Sequence, residues 1–441
     1  MAIISDENYH GAADARYPSM ERFRLLGLIY LHIVLCCVSL VCVAHIYAEY
    51  HIFFFSDRLP AALAVVAAFS AVAFLFVIAE FSFGYFIGFY LFTMVLGFLW
   101  LNIFSEATYN HKLSGLSAAM SAIAFLMPAL FIRSPLPRIW TLSQQALTRL
   151  LNLILIAAAA IVIASASYNF RLVGIDDIYN FRDALRSPTI LNYLTGITTG
   201  ALLPFAFACF VERKDFWRAA AALLLLLCFY PITLSKLALL TSAWLVIMTV
   251  LSRVLDLRTS VVVSLLAPLA VGLILFSLYQ FGAPYRETIS YFGTVNFRML
   301  AIPSLAMDYY NDFFFRHDLT YFCQIRLLKP FIACPYDDLI SVVIYKAFGI
   351  GGNFNASLFA TEGIASVGSM FAPAVVLIGG LVIALGNRAS AGLPPRLVLV
   401  SGAVLVHLLV NVPFTTVLLT HGAGVLFLLW YVMPRTASDG G

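Results

Sequence analysis

Glu362, Asp312 and His317 are side chains that can take a proton from a hydroxyl; Arg286, Arg298, Arg326 and Lys236 are cations that can hold a phosphate. All but Lys236 fall between Phe281 and Ser366, the one long polar stretch of an otherwise apolar chain. A guanidinium grips phosphate oxygens in a fork and stays charged, whereas lysine acts as a point charge. Glu362 stands nearest to where the chain re-enters an apolar run. A carboxyl at that depth is costly unless paired or solvated, so Glu362 is the first choice for a general base, with Asp312 and His317 behind it. Each group also has a blander reading. These are headgroup contact for an arginine, snorkelling for Lys236, and a salt bridge from Glu362 to Lys236 or a loop arginine.

The surroundings of these groups are aromatic and apolar. Tyr309, Tyr310, Phe313, Phe314 and Phe315 follow a helical pattern broken by Pro303, which predicts a helix lying on the outer face of a membrane. Anchoring is the first reading of those rings, and sugar stacking by residues such as Tyr309 is the second. Gly349, Gly351 and Gly352 allow a tight turn, and Asn353 and Asn355 suit a helix cap ahead of Glu362. Cys323 and Cys334 both lie in this stretch and are expected to be able to pair if that side is oxidising; the other five cysteines sit in apolar runs as small hydrophobes. His407, Asn411 and His421 read as partners in hydrogen bonds between helices. Taken together, cations, aromatics and acids beside a membrane suit a lipid-linked pyrophosphate and its sugar.

The elements that must position these residues are membrane helices. Hydrophobic residues make up 62% of the 441, and only 11% are charged, well below the roughly 25% of a soluble domain. Apolar windows fall near 25–47, 60–79, 83–104, 114–132, 149–167, 188–210, 217–233, 237–252, 259–280, 366–387, 396–413 and 415–433. The fold class expected is all-α and polytopic, with about twelve spans. Residues 1–24 form a polar N-terminal tail with no cleavable leader, 25–280 hold nine spans, 281–365 form a loop domain with short amphipathic helices, 366–433 hold three spans, and 434–441 form a tail. Arginines and lysines of alternate loops, among them Arg133, Arg138, Arg213, Arg253, Arg388, Arg396 and Arg435, gather on one side. The positive-inside rule then puts both termini in the cytoplasm and the long loop outside.

Several chemistries lack their motif. The sequence holds no GxxxxGK[ST] loop, no HExxH helix and no CxxC pair, and no inverted pair of broken spans marks it as a common secondary transporter. No metal cluster, cofactor or nucleic-acid partner is expected.

Three parts of the chain resemble a known family, the bacterial oligosaccharide repeat-unit polymerases of the Wzy type, which include O-antigen polymerases. They are the large loop before the last spans, the TLSKLALL stretch around Lys236, and FRMLAIPSLAMDYYNDFF followed by GGNFNASLFATEGIASVGSM. The resemblance implies a polymerase–ligase architecture in the bacterial inner membrane and a glycosyl transfer on its outer face. Donor and acceptor would be glycans on undecaprenyl pyrophosphate, the bilayer and a chain-length regulator protein would be partners, and no cofactor is required. Arg286, Arg298 and Lys236, with Arg326, Asn355 and Tyr309, would then bind substrate, and Glu362, Asp312 or His317 would act as base. An O-antigen ligase is the nearest alternative. A lipid-linked oligosaccharide exporter would need charges along a path through the membrane, whereas the sequence gathers them on one face.

Overall fold

The computed structural model describes residues 17–174, 181, 185–325, 328–349, 354 and 356–435. All regular structure among them is helical. In chain order the helices are α1 Tyr17–Ile46, α2 Ser56–Ile78, α3 Phe83–Phe104, α4 His111–Phe131, α5 Gln144–Ala166, α6 Thr189–Glu212, α7 Phe216–Thr233, α8 Lys236–Val254 and α9 Leu257–Gln280. Then come α10 over 285–316, α11 Ile340–Phe348, α12 Phe359–Ser390, α13 Pro395–Asn411, α14 Phe414–Leu419 and α15 Ala423–Val432. Nine of the described helices are long and apolar enough to cross a membrane: α1 to α7, α9 and α12. Shorter apolar helices stand at the eighth, eleventh and twelfth expected positions, where Ala238–Val254, α13 and α15 lie. Helix α1 begins at Tyr17, so its first turns take in the end of the expected polar tail.

Local sequence starts many of these helices. Ser82, Asn110, Ser143, Asp215 and Asp256 each accept a backbone N–H from the first turn of the helix that follows. Their short polar side chains satisfy donors that have no partner inside the helix. Helix α12 is broken at Gly368, whose φ of 75° and ψ of 164° suit glycine alone.

Helix α3 is the centre of the bundle. Its apolar window is 94% buried, against 22% for α5 on the periphery. Small residues let its neighbours come close. The backbone N–H of Gly84 donates to Asn387 Oδ1 at 2.7 Å, and Asn387 Nδ2 donates to Ala129 O at 2.7 Å, which ties α3, α4 and α12 together. A side chain at Gly84 would overlap Ala129 O, and one at Gly97 would overlap Ser304 Oγ of α10.

The expectation of a helix lying on the outer membrane surface is overturned for α10. Its three pieces, Tyr285–Phe292, the π-helix Gly293–Ala301 and Ile302–Arg316, run on without a break and pack into the bundle against α1, α3 and α9. The reason is a polar stripe on one face. Asn296 Nδ2 donates to Ser39 Oγ at 2.9 Å and to Leu269 O at 3.1 Å. Ser304 donates to Met94 O at 2.9 Å. Asp308 meets Ser105 and Tyr109, and Asn311 Oδ1 accepts from Ser114 at 2.8 Å and Ser369 at 2.6 Å. Lipid offers such groups no partner, whereas the bundle interior does.

The two ends of the bundle differ. At one, Arg133 pairs with Glu80 at 2.6 Å, Arg388 donates to Ser134 O at 2.9 Å, and Arg435 donates to Ala391 O at 3.1 Å. The loop arginines 133, 388 and 435 that the sequence assigns to one side therefore meet at one end. The other end carries Tyr50, the 105–110 connection and the end of α10.

Gly84→Ala is expected to destabilise the protein by about 1–3 kcal/mol through overpacking. Gly27→Ala, where nothing lies within 4 Å, is expected to be neutral or slightly stabilising. Thermal unfolding of both variants in detergent checks this; equal stability of Gly84→Ala and Gly27→Ala would refute the close α3–α4 contact.

Candidate functional site

The surroundings of Arg298 are given by its neighbours in sequence. Asn296 contacts Leu269 near the middle of α9, and Leu300 lines a small cavity with Met94, near the middle of α3, and with Leu265. Phe297 stacks on Tyr47 at 4.0 Å and meets Tyr50 edge-on at 4.8 Å, at the Tyr50 end of the bundle. Arg298 thus lies between that end and the cavity, and its side chain is exposed while Phe297 and Leu300 are buried. A guanidinium facing hydrocarbon is unfavourable unless water or an anionic group reaches it.

Glu362 lies in the π-helical start of α12, Phe359–Ile364, and is only 3% exposed. Its Oε1 accepts both the N–H and the hydroxyl of Thr415 at 3.0 Å, and its Oε2 is buried with no hydrogen-bond partner. The partner is thus Thr415 on α14, where a salt bridge to Lys236 or a loop arginine was the plainer expectation. Thr415 follows Asn411, which lines the same cavity as Met299 and Leu300 beside Arg298. Neither Glu362 nor Arg298 lines that cavity itself. Both sit in π-helical turns, which shift side-chain register and recur at functional sites.

Above them, level with the 105–110 connection and past the ends of the spans, Asp308 is buried. Tyr109 donates to its Oδ1, and Ser105 donates to its Oδ2 at 3.1 Å. Tyr109 OH also stands 2.9 Å from Asn102 Oδ1, which faces His111 Nδ1 at 3.0 Å. Asn102 Nδ2 donates to His111 O at 3.0 Å, which fixes the amide orientation. Burial pushes the Asp308 carboxyl up to about 6, against the lowering by the Tyr109 and Ser105 hydrogen bonds and by nearby His111. Burial first, and the Asp308 charge second, hold the Tyr109 phenol well above its ordinary range.

The other sequence-predicted residues are spread around this end. Asp312 is half-buried and pairs with Arg316 at 3.2 Å, while also accepting the Thr108 N–H at 3.2 Å. His317 is exposed at the end of α10, stacked on Phe313 at 4.0 Å with Nδ1 2.8 Å from Phe313 O. Tyr309 is 2% exposed, donates to Tyr50 O at 2.6 Å and stacks on Phe348 at 4.6 Å, so its ring is packing rather than a surface anchor. Arg286 is exposed and Lys236 half-buried at the start of α8. The 168–174 segment docks beside Lys236, since Arg171 N donates to Pro231 O at 2.9 Å and Tyr230 OH to Val173 O at 2.6 Å. Arg326 and Asn355 lie outside the described residues, as do Gly351, Gly352 and Asn353. Cys323 and Cys334 form a disulfide.

Residues that the sequence did not single out include Thr415, Tyr109 and the His32–Thr93 pair; Asp308 stands out in sequence as one of the polar residues of the long stretch, without a role. The four-residue spacing Asn296, Leu300, Ser304, Asp308 was the available signal for the buried face of α10. The expectation that ionisable groups gather on one face also needs correction, because His32, Glu362 and Asp308 are buried in the bundle. Among the described residues, no other Asp, Glu, His, Lys or Arg is buried, although Tyr85 and Cys209 are buried nearer the Arg133–Arg388 end. In comparisons with family models, curated proteins and solved structures, nothing matches the chain.

The Asp308 carboxyl gives a pH signature. Between its ordinary value of 3.8 and about 6 the folded chain keeps a proton that the unfolded chain has released. Stability is thus expected to fall as pH rises through that window, by about 3 kcal/mol at most, and to be level above it. Thermal unfolding of the wild type minus Asp308→Asn from pH 4 to 8 checks the slope. A difference that rises with pH would refute it.

Proposed function

We propose that this chain is a membrane glycosyltransferase that joins lipid-linked oligosaccharide units on the extracytoplasmic face of a bacterial inner membrane. The donor would be a glycan on undecaprenyl pyrophosphate, and the acceptor a hydroxyl of another lipid-linked unit. The observation that carries this reading is Glu362, a buried carboxyl whose Oε1 is held by Thr415 while its Oε2 has no hydrogen-bond partner. Arg298, an exposed guanidinium on α10, is a cation available to phosphates. A polyprenyl chain lies in the hydrocarbon, so its phosphates meet the flank of a protein, where such a side chain can hold them.

In this reading the acceptor oxygen attacks the anomeric carbon of the donor while the bond from that carbon to the pyrophosphate breaks. Arg298 stabilises the charge that builds on the leaving oxygen, with Arg286 and Lys236 nearer the rim for the second phosphate. The acceptor proton passes to Glu362 Oε2, the carboxylate oxygen with no partner, while Thr415 holds Oε1 in place. Among the described residues the buried acids are Glu362 and Asp308, with no buried Asp, Glu, Lys or Arg nearer the Arg133–Arg388 end, which favours transfer over export along a charged path. The disulfide between Cys323 and Cys334 fits an oxidising compartment.

Arg298→Ala is expected to lower chain growth about a hundredfold or more, and Glu362→Gln by a similar factor, both with normal protein in the membrane. Deletion of the gene followed by a glycan gel is expected to leave single repeat units on the cell surface. Accumulated lipid-linked polymer would instead indicate a ligase, and units trapped on the cytoplasmic side an exporter. Normal polymer from both point variants would overturn the site.

A further inference from the structure

Two histidines inside the bundle, His32 on α1 and His407 on α13, have no part in the chemistry proposed above. His32 is fully buried, with Nε2 2.9 Å from Thr93 Oγ1 and 3.4 Å from Cys36 Sγ. Thr93 donates its hydroxyl to Phe89 O at 3.0 Å, so towards His32 it is the acceptor and Nε2 carries the proton. The second lone pair of Thr93 Oγ1 is left for another donor.

Thr93 also lines a small, partly open cavity of about 30 Å³, whose other polar walls are Tyr90, His407 and Asn411. Tyr90 is engaged with Ser264 at 2.9 Å. Asn411 Nδ2 donates to His407 O at 3.3 Å, which leaves Asn411 Oδ1 as an acceptor. The described contacts of the His407 ring are edges against Tyr90 at 5.4 Å and Trp244 at 4.6 Å, ring against ring. The cavity thus presents a hydroxyl lone pair, an amide oxygen and an imidazole to one space. One water needs roughly 10–15 Å³ and takes about three hydrogen bonds in a buried site, and an ionisable group inside a membrane bundle requires a polar partner.

We propose that this cavity is an internal water site, and that its water joins His407 through Thr93 to His32 in one hydrogen-bonded chain. The water donates to Thr93 Oγ1 and to Asn411 Oδ1 and accepts from the ring N–H of His407. The chain links α1, α3 and α13. Helix α13 leads through Asn411 to α14 and Thr415, the residue that holds Glu362. The site stands whether or not the transfer reaction does.

The test uses the full-length protein, labelled with ¹⁵N-histidine and placed in lipid nanodiscs. The His407 ring signal is assigned by its loss in His407→Phe, or in His407→Gln should the first variant not fold. In the unaltered protein a cross-peak between that ring and a slowly exchanging water is expected. A resolved His407 signal with no water contact overturns the proposal. Thr93→Val is expected to shift both the His32 and the His407 ring signals; a shift of His32 alone shows that no water joins them and also overturns it.

Discussion

A helix with Asn296, Ser304, Asp308 and Asn311 on one face cannot turn that face to lipid, and this constraint organises the molecule. Each of the four groups finds its partner on a neighbouring element: Ser39 on α1, Met94 on α3, Tyr109 in the 105–110 connection, and Ser114 and Ser369 on α4 and α12. The demand for hydrogen bonds draws α10 into the bundle, and the bare backbone of Gly97 on α3 lets Ser304 come close. Once α10 is fixed in this way, the place of Arg298 along it is fixed too. Its position is a by-product of the polar stripe on the other face of the same helix.

The same logic accounts for Glu362. Burial of a carboxyl is unfavourable unless its oxygens are bonded, and Thr415 serves one of them with two donors. The other oxygen remains unserved, a residual cost of the kind retained at functional sites. The π-helical winding at Gly293–Ala301 and Phe359–Ile364 adds to this, since a straight α-helix would turn these side chains to other neighbours. Two polar π-helical turns are a more specific sign than any single charged residue.

Much of the architecture was legible in the sequence because spans are a property of composition. Twenty apolar residues in a row leave the backbone no solution but a helix, and short polar caps such as Ser82 and Asn110 mark where helices begin. The meeting of Arg133, Arg388 and Arg435 at one end likewise follows from counting charges in loops. The long polar stretch was misjudged for a physical reason. Aromatics mixed with charges at helical spacing describe an interfacial helix and a buried polar-faced helix equally well, and only the partner decides between them. Tyr309 shows this, with a ring that the pattern offers to the membrane surface and the fold encloses against Phe348.

By itself, then, the sequence determined the membrane setting, the helical class, the basic end and the residue types able to bind a phosphate or take a proton, since each depends on composition and short spacing. Only the tertiary structure decided that Phe297 beside Arg298 stacks on Tyr47, that Thr415 is the partner of Glu362, that Cys323 pairs with Cys334, and that Thr93, the partner of His32, shares a cavity with His407. Those facts join residues tens to hundreds of positions apart. They follow from which buried polar atoms can satisfy one another, a question that no local pattern contains.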